Sequence, residues 1–348
     1  MKIYRAGKQG NLRSITLFHA MARLGYEGLI ITTPTDTYVS VGYFDKTDEI
    51  IDVKRCKELC IPVIRREVGG GAVLLHEDQV FYQLIINKKR VPFKVIDAYQ
   101  KFSKPVIEVY RKLGVEVEYK PVNDLVVAKN KKKISGQGAA DIEDSFVFVG
   151  GILLRFNTKL MAELFKVPEE KFRDKIYKNL EENITWVKRE TGRLPSYEEV
   201  EELLIKEFSK IIDFKGEAEV PKEAIELADK LKDEFTSKEV LFEDTGRKHR
   251  AIKLREGVYF RTGLHKAKGG LIRAEIYTDG EKIVQAKIYG DFTLYPKNKI
   301  KDLEKCLEGL KFEKEEIARA LENFLKRIEF PGVEAEDLLM AIYGDSNS

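Results

Sequence analysis

The sequence predicts a mixed α/β protein of two domains, of which the second is a smaller α+β unit. Three observations support this fold class. The chain of 348 residues is longer than one typical core requires. Its first third alternates strand-like runs with amphipathic helical segments, whereas antiparallel strands followed by helices dominate beyond residue 240. We therefore expect a first domain over residues 1–240 and a second over residues 241–348.

The composition argues against several functional classes. The 61 Lys and Arg residues nearly balance the 58 Asp and Glu residues, which leaves a net charge of +3. A dedicated nucleic-acid binder or a polybasic membrane-surface protein carries a larger basic excess, so we expect no nucleic-acid and no membrane partner. The N-terminus has no apolar signal-peptide core, and no apolar run approaches membrane-spanning length. The sequence predicts a cytoplasmic protein.

The three cysteines, Cys56, Cys60 and Cys306, predict no disulfide framework, because their number is odd and only two are close in sequence. This usage is typical of a reducing compartment. Cys56 and Cys60 are four residues apart and would share one face of a helix. A metal site or redox pair would need further Cys or His ligands nearby, so we interpret both as buried helix positions.

The elements of the first third follow in order. Apolar residues recur at helical spacing from Ser14 to Leu24, and Ser14 can cap this helix. A helix from Asp48 to Leu59 must stop before Pro62. β-Branched runs and one long amphipathic segment add the strands Glu27–Thr33, Thr37–Phe44, Ile61–Val68, Ala72–Leu75 and Val80–Ile86 and the helix Val95–Leu113.

Three consecutive glycines, Gly69–Gly71, separate two of these strands. Each glycine loses more backbone entropy on folding than any other residue, so the run requires a reason. One interpretation is a loose turn between the strands. The other is a site where a ligand lies directly on the backbone and its negative charge meets the N–H groups. The preceding pair Arg65-Arg66 favours the second interpretation, with a phosphate or carboxylate as the ligand.

Residues 123–139 predict a hairpin. Its turn falls at Lys129–Lys131, where Asn130 suits a left-handed conformation and the lysines form a solvated tip. Lys133 differs from them because it begins the returning strand. If that strand faces the three glycines, Lys133 places a mobile positive charge opposite Arg66.

The rest of the chain is mainly helical before residue 240 and antiparallel after it. Gly150-Gly151 predicts a bulge or bend in the strand pair Phe146–Phe156, and Ser196 with Glu199 forms a capping box. The other predicted elements are the strand Val115–Tyr119, the helices Thr158–Phe165, Ser196–Ile212 and Lys222–Phe235, the strands within Arg250–Thr262 and Leu271–Asp291, the turn Tyr277–Gly280, and the helices Ile300–Leu310 and Glu315–Ile328.

Several common motifs do not occur in the sequence. No GxxxxGK[ST] spacing surrounds the three glycines, and Gly136-Gln137-Gly138 lacks the third glycine of a dinucleotide fingerprint, because Asp141 stands there. No His-Glu-x-x-His spacing or dense Cys/His cluster indicates a catalytic metal. The remaining chemistry is electrostatic: Arg66, the amides from Gly71 onward and Lys133 would converge on an anion whose charge grows during reaction. This pattern favours acyl-adenylate or phosphoryl chemistry.

Three segments, in this order and spacing, resemble the lipoate-protein ligase family: Arg65–Val73, Asn123–Leu125 and Lys133–Ala139. Similarity extends over nearly the whole chain and includes the segments Gly150–Leu154, Lys175–Leu180, Gly269–Arg273 and Asp279-Gly280. The resemblance implies a biotin/lipoate ligase-like catalytic domain of α/β class with a curved mixed sheet. It also implies a small α+β accessory domain fused at the C-terminus.

The same resemblance implies an activity and its site. Such enzymes use ATP and Mg²⁺ to make lipoyl-AMP from lipoate, release pyrophosphate, and transfer the lipoyl group to a lysine of an apo lipoyl domain. Partners of this kind are the E2 subunits of 2-oxoacid dehydrogenases and the glycine cleavage H protein. By position, Lys133 is the catalytic residue, and Arg66, Gly71 and Lys133 bind lipoate. Asp124 helps to hold Mg²⁺ or orients the adenosine. The full implied set for ATP and lipoyl-AMP is Arg66, Gly69, Gly70, Gly71, Ala72, Val73, Leu74, Asn123, Asp124, Lys133, Ser135 and Gly136.

Two departures from the family pattern occur. His76 lies one residue later than the usual His-Asp position, which would move it to the opposite strand face, so we assign it no role. Gln137-Gly138 lengthens the segment between Ser-Gly and Ala. Two alternatives to the ligase are an octanoyl or lipoyl transferase of the same fold, which needs an activated thiol, and a non-catalytic binder of lipoyl carriers. A biotin ligase is disfavoured because its Gly-Arg-Gly-Arg type loop does not occur.

Overall fold

The computed structural model describes residues 1–92, 94–166, 173–242 and 259–343. Within these ranges the strands and helices have the following bounds. The strands are β1 Lys2–Gln9, β2 Gly28–Pro34, β3 Tyr38–Val41, β4 Val63–Arg65, β5 Val73–Leu75, β6 Gln79–Asn87, β7 Val117–Lys120, β8 Asp124–Val127, β9 Lys133–Ile142, β10 Ser145–Leu153, β11 Tyr259–Ala267, β12 Gly270–Thr278 and β13 Ile283–Asp291. The helices are α1 Arg13–Arg23, α2 Thr47–Ile50, α3 Val53–Glu58, α4 Val95–Lys112, α5 Thr158–Leu164, α6 Arg173–Asn183, α7 Val187–Thr191, α8 Tyr197–Phe208, α9 Lys222–Phe235, α10 Lys238–Leu241, α11 Ile300–Leu307, α12 Lys314–Leu325 and α13 Ala335–Tyr343.

A seven-stranded mixed sheet forms the centre of the first domain. Its strand order is β1-β2-β6-β10-β9-β8-β7, with a parallel β1/β2 pair and antiparallel pairs elsewhere. Successive residues of β2 enter different cores, because side chains alternate between the two faces of a strand. Leu29 and Ile31 pack in the cluster of α4 and α8, whereas Ile30 packs in the cluster of α1 and α9. Helices therefore cover both faces, and the predicted α/β class is confirmed.

A second, three-stranded sheet carries the three glycines. Its order is β4-β3-β5, with β3 parallel to β4 and antiparallel to β5. The chain leaves β4 at Arg65, passes through Gly69–Gly71 and returns as β5 from Val73. Residues 66–72, which we call the glycine loop, thus connect the two edge strands at one end of this sheet.

The C-terminal part is a separate α+β unit. Strands β11, β12 and β13 form an antiparallel sheet, and buried residues of β12 and β13 pack with α11, α12 and α13 in one core. Phe44 of the first domain belongs to that same core. The α+β class of this unit is confirmed. The boundary at residues 240/241 stays a prediction.

The structure corrects two helix predictions. The first helix begins at Arg13 with the left-handed Leu12 as its N-cap residue, and Ser14 instead lies inside, 2.9 Å from the Tyr38 hydroxyl. The single helix predicted from Asp48 to Leu59 is wrong. It is divided into α2 and α3, because Asp52 caps α3 by accepting a hydrogen bond from the Arg55 amide.

Three further local predictions are wrong. Lys131 rather than Asn130 has the positive φ, of 58°, and the Asn130 side chain accepts from the Lys132 amide. Cys60 is exposed beyond the end of α3, although Cys56 is buried as predicted. Gly150-Gly151 does not mark a bulge, because β10 pairs with β6 without interruption. The described residues also form β1, α7, α10 and α13, for which no prediction was made.

The strand pair predicted over Phe146–Phe156 is wrong, because a single strand, β10, occupies this segment. The other predicted strands and helices correspond to described elements, with ends that differ by a few residues. Most of the predicted strand Arg250–Thr262 lies outside the described residues. Ser196 does cap α8, since its hydroxyl accepts from the Glu199 amide at 3.1 Å. None of the helices in the described ranges combines the length and apolarity needed to cross a membrane.

Packing explains Gly150 and yields a testable prediction. A Cβ at this position would lie 2.2 Å from the hydroxyl oxygen of the buried Tyr82. We expect Gly150→Ala to destabilise the protein by about 1–3 kcal/mol, because the tyrosine has little room to move. Thermal unfolding measures the effect. Gly151→Ala is the matched control, since its Cβ would meet the Phe81 ring at 3.2 Å. An equal or smaller loss in Gly150→Ala would contradict this account.

Candidate functional site

The side chain of Arg66 determines the shape of the glycine loop. Its guanidinium donates to three backbone carbonyl oxygens, those of Ser40 at 2.9 Å, Gly69 at 3.0 Å and Gly71 at 2.9 Å. Burial lowers the pKa of Arg66 to about 10, so the group remains charged at neutral pH. One partly buried cation therefore joins the loop to β3, the central strand of the small sheet.

Two glycines allow the loop to approach its neighbours. Gly70 has φ +89°, a conformation that glycine adopts at little cost. A Cβ on Gly42 would lie 1.6 Å from the Gly70 carbonyl oxygen, so any side chain there would displace the loop. The loose-turn interpretation is therefore wrong for this segment, because the loop has a defined conformation held by named contacts.

Arg65 and Arg66 have different roles. The Arg65 guanidinium is buried and donates to the carbonyl oxygens of Gly42, Tyr43, Asp45, Val240 and Leu241. Arg65 therefore stabilises the fold. The inference that this arginine pair binds an anionic ligand is wrong for Arg65. The phosphate contact predicted for Arg66 stays a prediction.

The hairpin of β8 and β9 places Lys133 beside Asp124. The Lys133 Nζ lies 2.7 Å from the Asp124 Oδ1, and the lysine side chain is 44% exposed. Gly136 lies directly under this side chain, since a Cβ there would be 3.2 Å from the Lys133 Cε and Nζ. Lys133 thus presents an accessible ammonium group. Lys131 differs in that it pairs with Glu118 at the hairpin tip.

Asn123 connects this hairpin to the glycine loop. Its amide nitrogen donates to the Gln137 carbonyl at 2.7 Å, and the same nitrogen lies 4.0 Å from the Cβ position of Gly70. The structure therefore places Asn123, the residue before β8, beside the glycine loop that Arg66 holds. The described contacts of Lys133 are with Asp124 and Gly136, so its predicted convergence with Arg66 and the loop amides stays a prediction.

Other residues of the predicted set lie in different environments. Val73 is 37% exposed, while Leu74 is buried in a cluster with Cys56. The hydroxyl of Ser135 is directed into the protein and donates to the Gly151 carbonyl at 2.8 Å. Ala72 packs at the edge of the Leu74 cluster. Ligand contacts of these residues stay predictions.

The donor set for Mg²⁺ is small. No group of three or more His, Cys, Asp or Glu side chains that could hold a metal occurs among the described residues. Asp124 offers one carboxylate, which forms an ion pair with Lys133 in this structure. One or two carboxylates together with substrate phosphates are a common coordination of Mg²⁺, so this donor fits a nucleotide-borne cation.

Sequence reasoning missed the contribution of the C-terminal domain to this site. The Gly70 amide donates to the Phe292 carbonyl at 3.2 Å. The carboxylate of Asp291 lies 3.1–3.2 Å from the Cβ position of Gly71. These residues follow each other at the end of β13, more than two hundred positions after the glycines, and no spacing in the sequence indicated the contact.

Asp45 is a buried acid at the same interface. It is fully buried, and neither carboxylate oxygen has a hydrogen-bond partner among the described residues. Burial and the nearby Asp291 raise the pKa of Asp45 to about 7, although Arg66, Arg273 and Arg65 act in the opposite direction. Its neighbours contact the second domain, since Phe44 accepts from the Gly290 amide and Lys46 pairs with Glu275.

Comparison with known families identifies the first domain. A family model described as the lipoyl protein ligase A/B catalytic domain matches residues 16–209, more than half of the chain. The chain belongs to the lipoyl protein ligase A/B family. A second model, the bacterial lipoate protein ligase C-terminus, matches residues 262–342. The resemblance inferred from the three motifs is confirmed.

Relatives of this family member include two kinds of enzyme. Lipoate–protein ligase 2 of Staphylococcus aureus is 25% identical over 91% of this chain and 90% of its own length. Octanoyltransferase LipM of Oceanobacillus iheyensis is 30% identical over 51% of this chain and 71% of its own length. The family member is thus an enzyme of the lipoate ligase and transferase group.

Solved structures confirm the ligase-family fold. The bipartite lipoate protein ligase of Thermoplasma acidophilum, solved in a study with its E2 lipoyl domain, has a TM-score of 0.61 at 26% identity. It covers 69% of this chain and 95% of its own. P. falciparum LipL1, solved with lipoate, has a TM-score of 0.67 over 97% of this chain and 96% of its own, at 15% identity. The second match extends over both domains of the present fold.

The raised pKa of Asp45 predicts a pH dependence. In the folded protein Asp45 keeps its proton up to about pH 7, whereas the unfolded chain releases it near the ordinary aspartate pKa of 3.8. Folding stability from this group is therefore lost as the pH rises between these values, by on the order of 4 kcal/mol. We expect Asp45→Asn to gain thermal stability relative to wild type as the pH rises from 4 to 8. If the difference in melting temperature between Asp45→Asn and wild type stays constant from pH 4 to 8, the raised pKa of Asp45 is contradicted.

Proposed function

We propose that this family member is an ATP-dependent lipoate–protein ligase. It would activate lipoate to lipoyl-AMP with release of pyrophosphate, and then transfer the lipoyl group to a lysine of an apo lipoyl domain. The observation that carries the proposal is the composition of the site: it contains cations, amides and a carboxylate, and none of the described contacts of the Arg66 guanidinium, the three glycines, Asn123 or Lys133 involves a thiol. Transferases that work through an acyl-enzyme need a nucleophile such as an activated cysteine.

The environments of the cysteines support this choice. Burial and, to a smaller extent, the charge of Asp52 raise the pKa of Cys56 to about 11. Burial likewise raises the pKa of Cys306, in the second domain, to about 11. Both are therefore thiols at neutral pH, whereas the thiolate is the reactive form. Cys60 is exposed beyond the end of α3.

The residues of the cluster suit each step of adenylate chemistry. In the first step the lipoate carboxylate attacks the α-phosphorus, and the bond to pyrophosphate breaks. Lys133 would leave Asp124 and stabilise negative charge on the α-phosphate and the lipoyl carboxyl group. In the second step the carrier amine attacks the acyl carbon, AMP departs, and the amine proton passes to solvent. The ammonium group of Lys133 would stabilise both the oxyanion and the departing AMP.

The rest of the cluster would position the nucleotide. Arg66 and the glycine loop offer a positive charge and backbone amides to the phosphates. Asp124, once released from Lys133, would contribute a carboxylate to Mg²⁺, which neutralises phosphate charge when bound. The proximity of Arg66 and Asn123 to Gly70 supports a nucleotide position on the loop.

The extent of similarity to relatives also favours the ligase. The match to lipoate–protein ligase 2 covers nearly the whole of both chains, whereas the match to the octanoyltransferase covers about half of this chain. The Thermoplasma ligase was solved in a study of an E2 lipoyl domain, which supports lipoyl domains as acceptors. The octanoyltransferase remains the second candidate, because LipM has the higher identity over the aligned residues.

The proposal is tested by the mass of the acceptor. The enzyme is incubated with lipoate, ATP, Mg²⁺ and an apo lipoyl domain, and parallel reactions omit ATP or replace lipoate and ATP with an octanoyl carrier. We expect the mass to increase by one lipoyl group only when ATP is present. An increase from the octanoyl carrier without ATP, together with none from lipoate, would replace the ligase by the transferase.

Lys133→Ala should remove activation while the fold is retained. Its side chain is half-exposed and is replaced without leaving a buried cavity. Loss of a charge that stabilises the transition state typically reduces the rate by about 100- to 1000-fold. Lipoate-dependent pyrophosphate release measures this step. Lys131→Ala, at the hairpin tip, is the control and should retain activity. Undiminished pyrophosphate release by Lys133→Ala would exclude this lysine from the mechanism.

A further inference from the structure

We propose that the C-terminal domain occupies the phosphate position of the glycine loop, with Asp291 and the Phe292 carbonyl in place of nucleotide oxygens, so that this domain and the nucleotide compete for the loop. The inference rests on the proposed function, because it assumes that the loop binds a nucleotide. It adds a regulatory role for two residues outside the catalytic domain.

Contacts with all three glycines support the proposal. The Phe292 carbonyl oxygen accepts the Gly70 N–H at 3.2 Å and would lie 2.8 Å from a Cβ on Gly69. Both oxygens of the Asp291 carboxylate lie 3.2 Å from the Cβ position of Gly71. Two kinds of oxygen acceptor from β13 and the residue after it therefore contact the loop.

These acceptors resemble phosphate in the properties that an anion site recognises. A carboxylate carries negative charge, and a carbonyl oxygen accepts a hydrogen bond from a backbone amide, as phosphate oxygens do at such loops. Asp291 also interacts favourably with the charge of Arg66. A phosphate group placed on Gly70 and Gly71 would meet the same amide and the same cation. The two occupants cannot share this position.

The packing of the C-terminal domain against the glycine loop also explains why residues 69 and 71 are glycines. A side chain at Gly69 would approach the Phe292 carbonyl at 2.8 Å and the Thr293 hydroxyl at 2.9 Å. A side chain at Gly71 would contact the Asp291 carboxylate. Glycine at positions 69 and 71 thus permits close packing of the C-terminal domain, and the same open surface would admit a nucleotide.

The groups around Asp291 allow a nucleotide to displace its carboxylate from the glycine loop. Above about pH 7, where Asp45 loses its proton, its charge lies close enough to oppose that of Asp291 and to offset part of the attraction of Arg66. Separate contacts hold the two domains together elsewhere. Lys297 pairs with Glu67 at 3.0 Å, and Glu329 accepts from the Val95 amide at 2.6 Å. The carboxylate of Asp291 can therefore be neutralised while these contacts remain.

The proposal predicts tighter nucleotide binding by Asp291→Asn. This substitution keeps the shape of the side chain and removes the charge that excludes phosphate. We expect the Kd for a non-hydrolysable ATP analogue, measured by calorimetry without lipoate, to fall about tenfold relative to wild type. Asp302→Asn is the matched control, because Asp302 is an acid of the same domain that pairs with Lys299 on the surface. An unchanged Kd for Asp291→Asn would overturn the proposal.

A second measurement uses the wild-type protein and does not depend on the folding of a variant. The Gly290 amide donates to the Phe44 carbonyl across the interface. If the nucleotide displaces the C-terminal domain, the analogue should accelerate hydrogen exchange in residues 290–293. Unchanged or slower exchange at saturating analogue would overturn the proposal. Failure of the wild type to bind the analogue or to form an adenylate would instead contradict the proposed function.

Discussion

The hydrogen bonds of the Arg66 guanidinium are the constraint on which the candidate site depends. They join the Gly69 and Gly71 carbonyls to Ser40 on the central strand of the small sheet. Removing a cation from water, even in part, is costly unless its donors are satisfied, and these carbonyls satisfy them. The loop therefore has one defined conformation, in which Gly70 faces Asn123 and the hairpin that presents Lys133. Without this cation the three glycines would be free to adopt many conformations.

The glycine loop faces two different parts of the molecule. One side approaches the hairpin with Lys133 and Asp124, where we place adenylate chemistry. The other side contacts the end of β13 through Asp291 and Phe292. A loop that both a substrate and a second domain contact can couple substrate binding to domain position, because each occupant affects the free energy of the other. Asp45 adds a group near this junction whose protonation changes in the neutral pH range.

Much of the site was predictable from local sequence. The glycines, Asn123 and Lys133 lie in segments whose order and spacing carry information, and alternating apolar residues indicated the strands that hold them. The α/β and α+β classes followed from the same patterns. Motifs of this kind are readable because each one concerns residues that are close along the chain.

Other features depend on contacts that no local pattern encodes. Gly150 looked like a bulge, but the reason for the glycine is Tyr82 on the neighbouring strand. Ser14 looked like a helix cap, but its hydroxyl lies in the interior beside that of Tyr38. Arg65 and Arg66 are adjacent and chemically identical, yet alternation along the chain directs them to different partners. The contact between Asp291 and Gly71 joins two domains.

Hydrogen exchange of the glycine loop in Arg66→Lys tests the central claim most directly. Lysine keeps the positive charge but cannot donate to three separate carbonyls from a rigid fork. We predict that the amides of Gly69–Gly71 exchange at least about tenfold faster than in wild type, whereas those of β9 do not change. Arg23→Lys is the control, since Arg23 pairs with the side chain of Glu67 in the same loop, whereas its described hydrogen bonds include none to the loop carbonyls. Unchanged exchange of the three glycine amides in Arg66→Lys would contradict the claim that this guanidinium holds the loop.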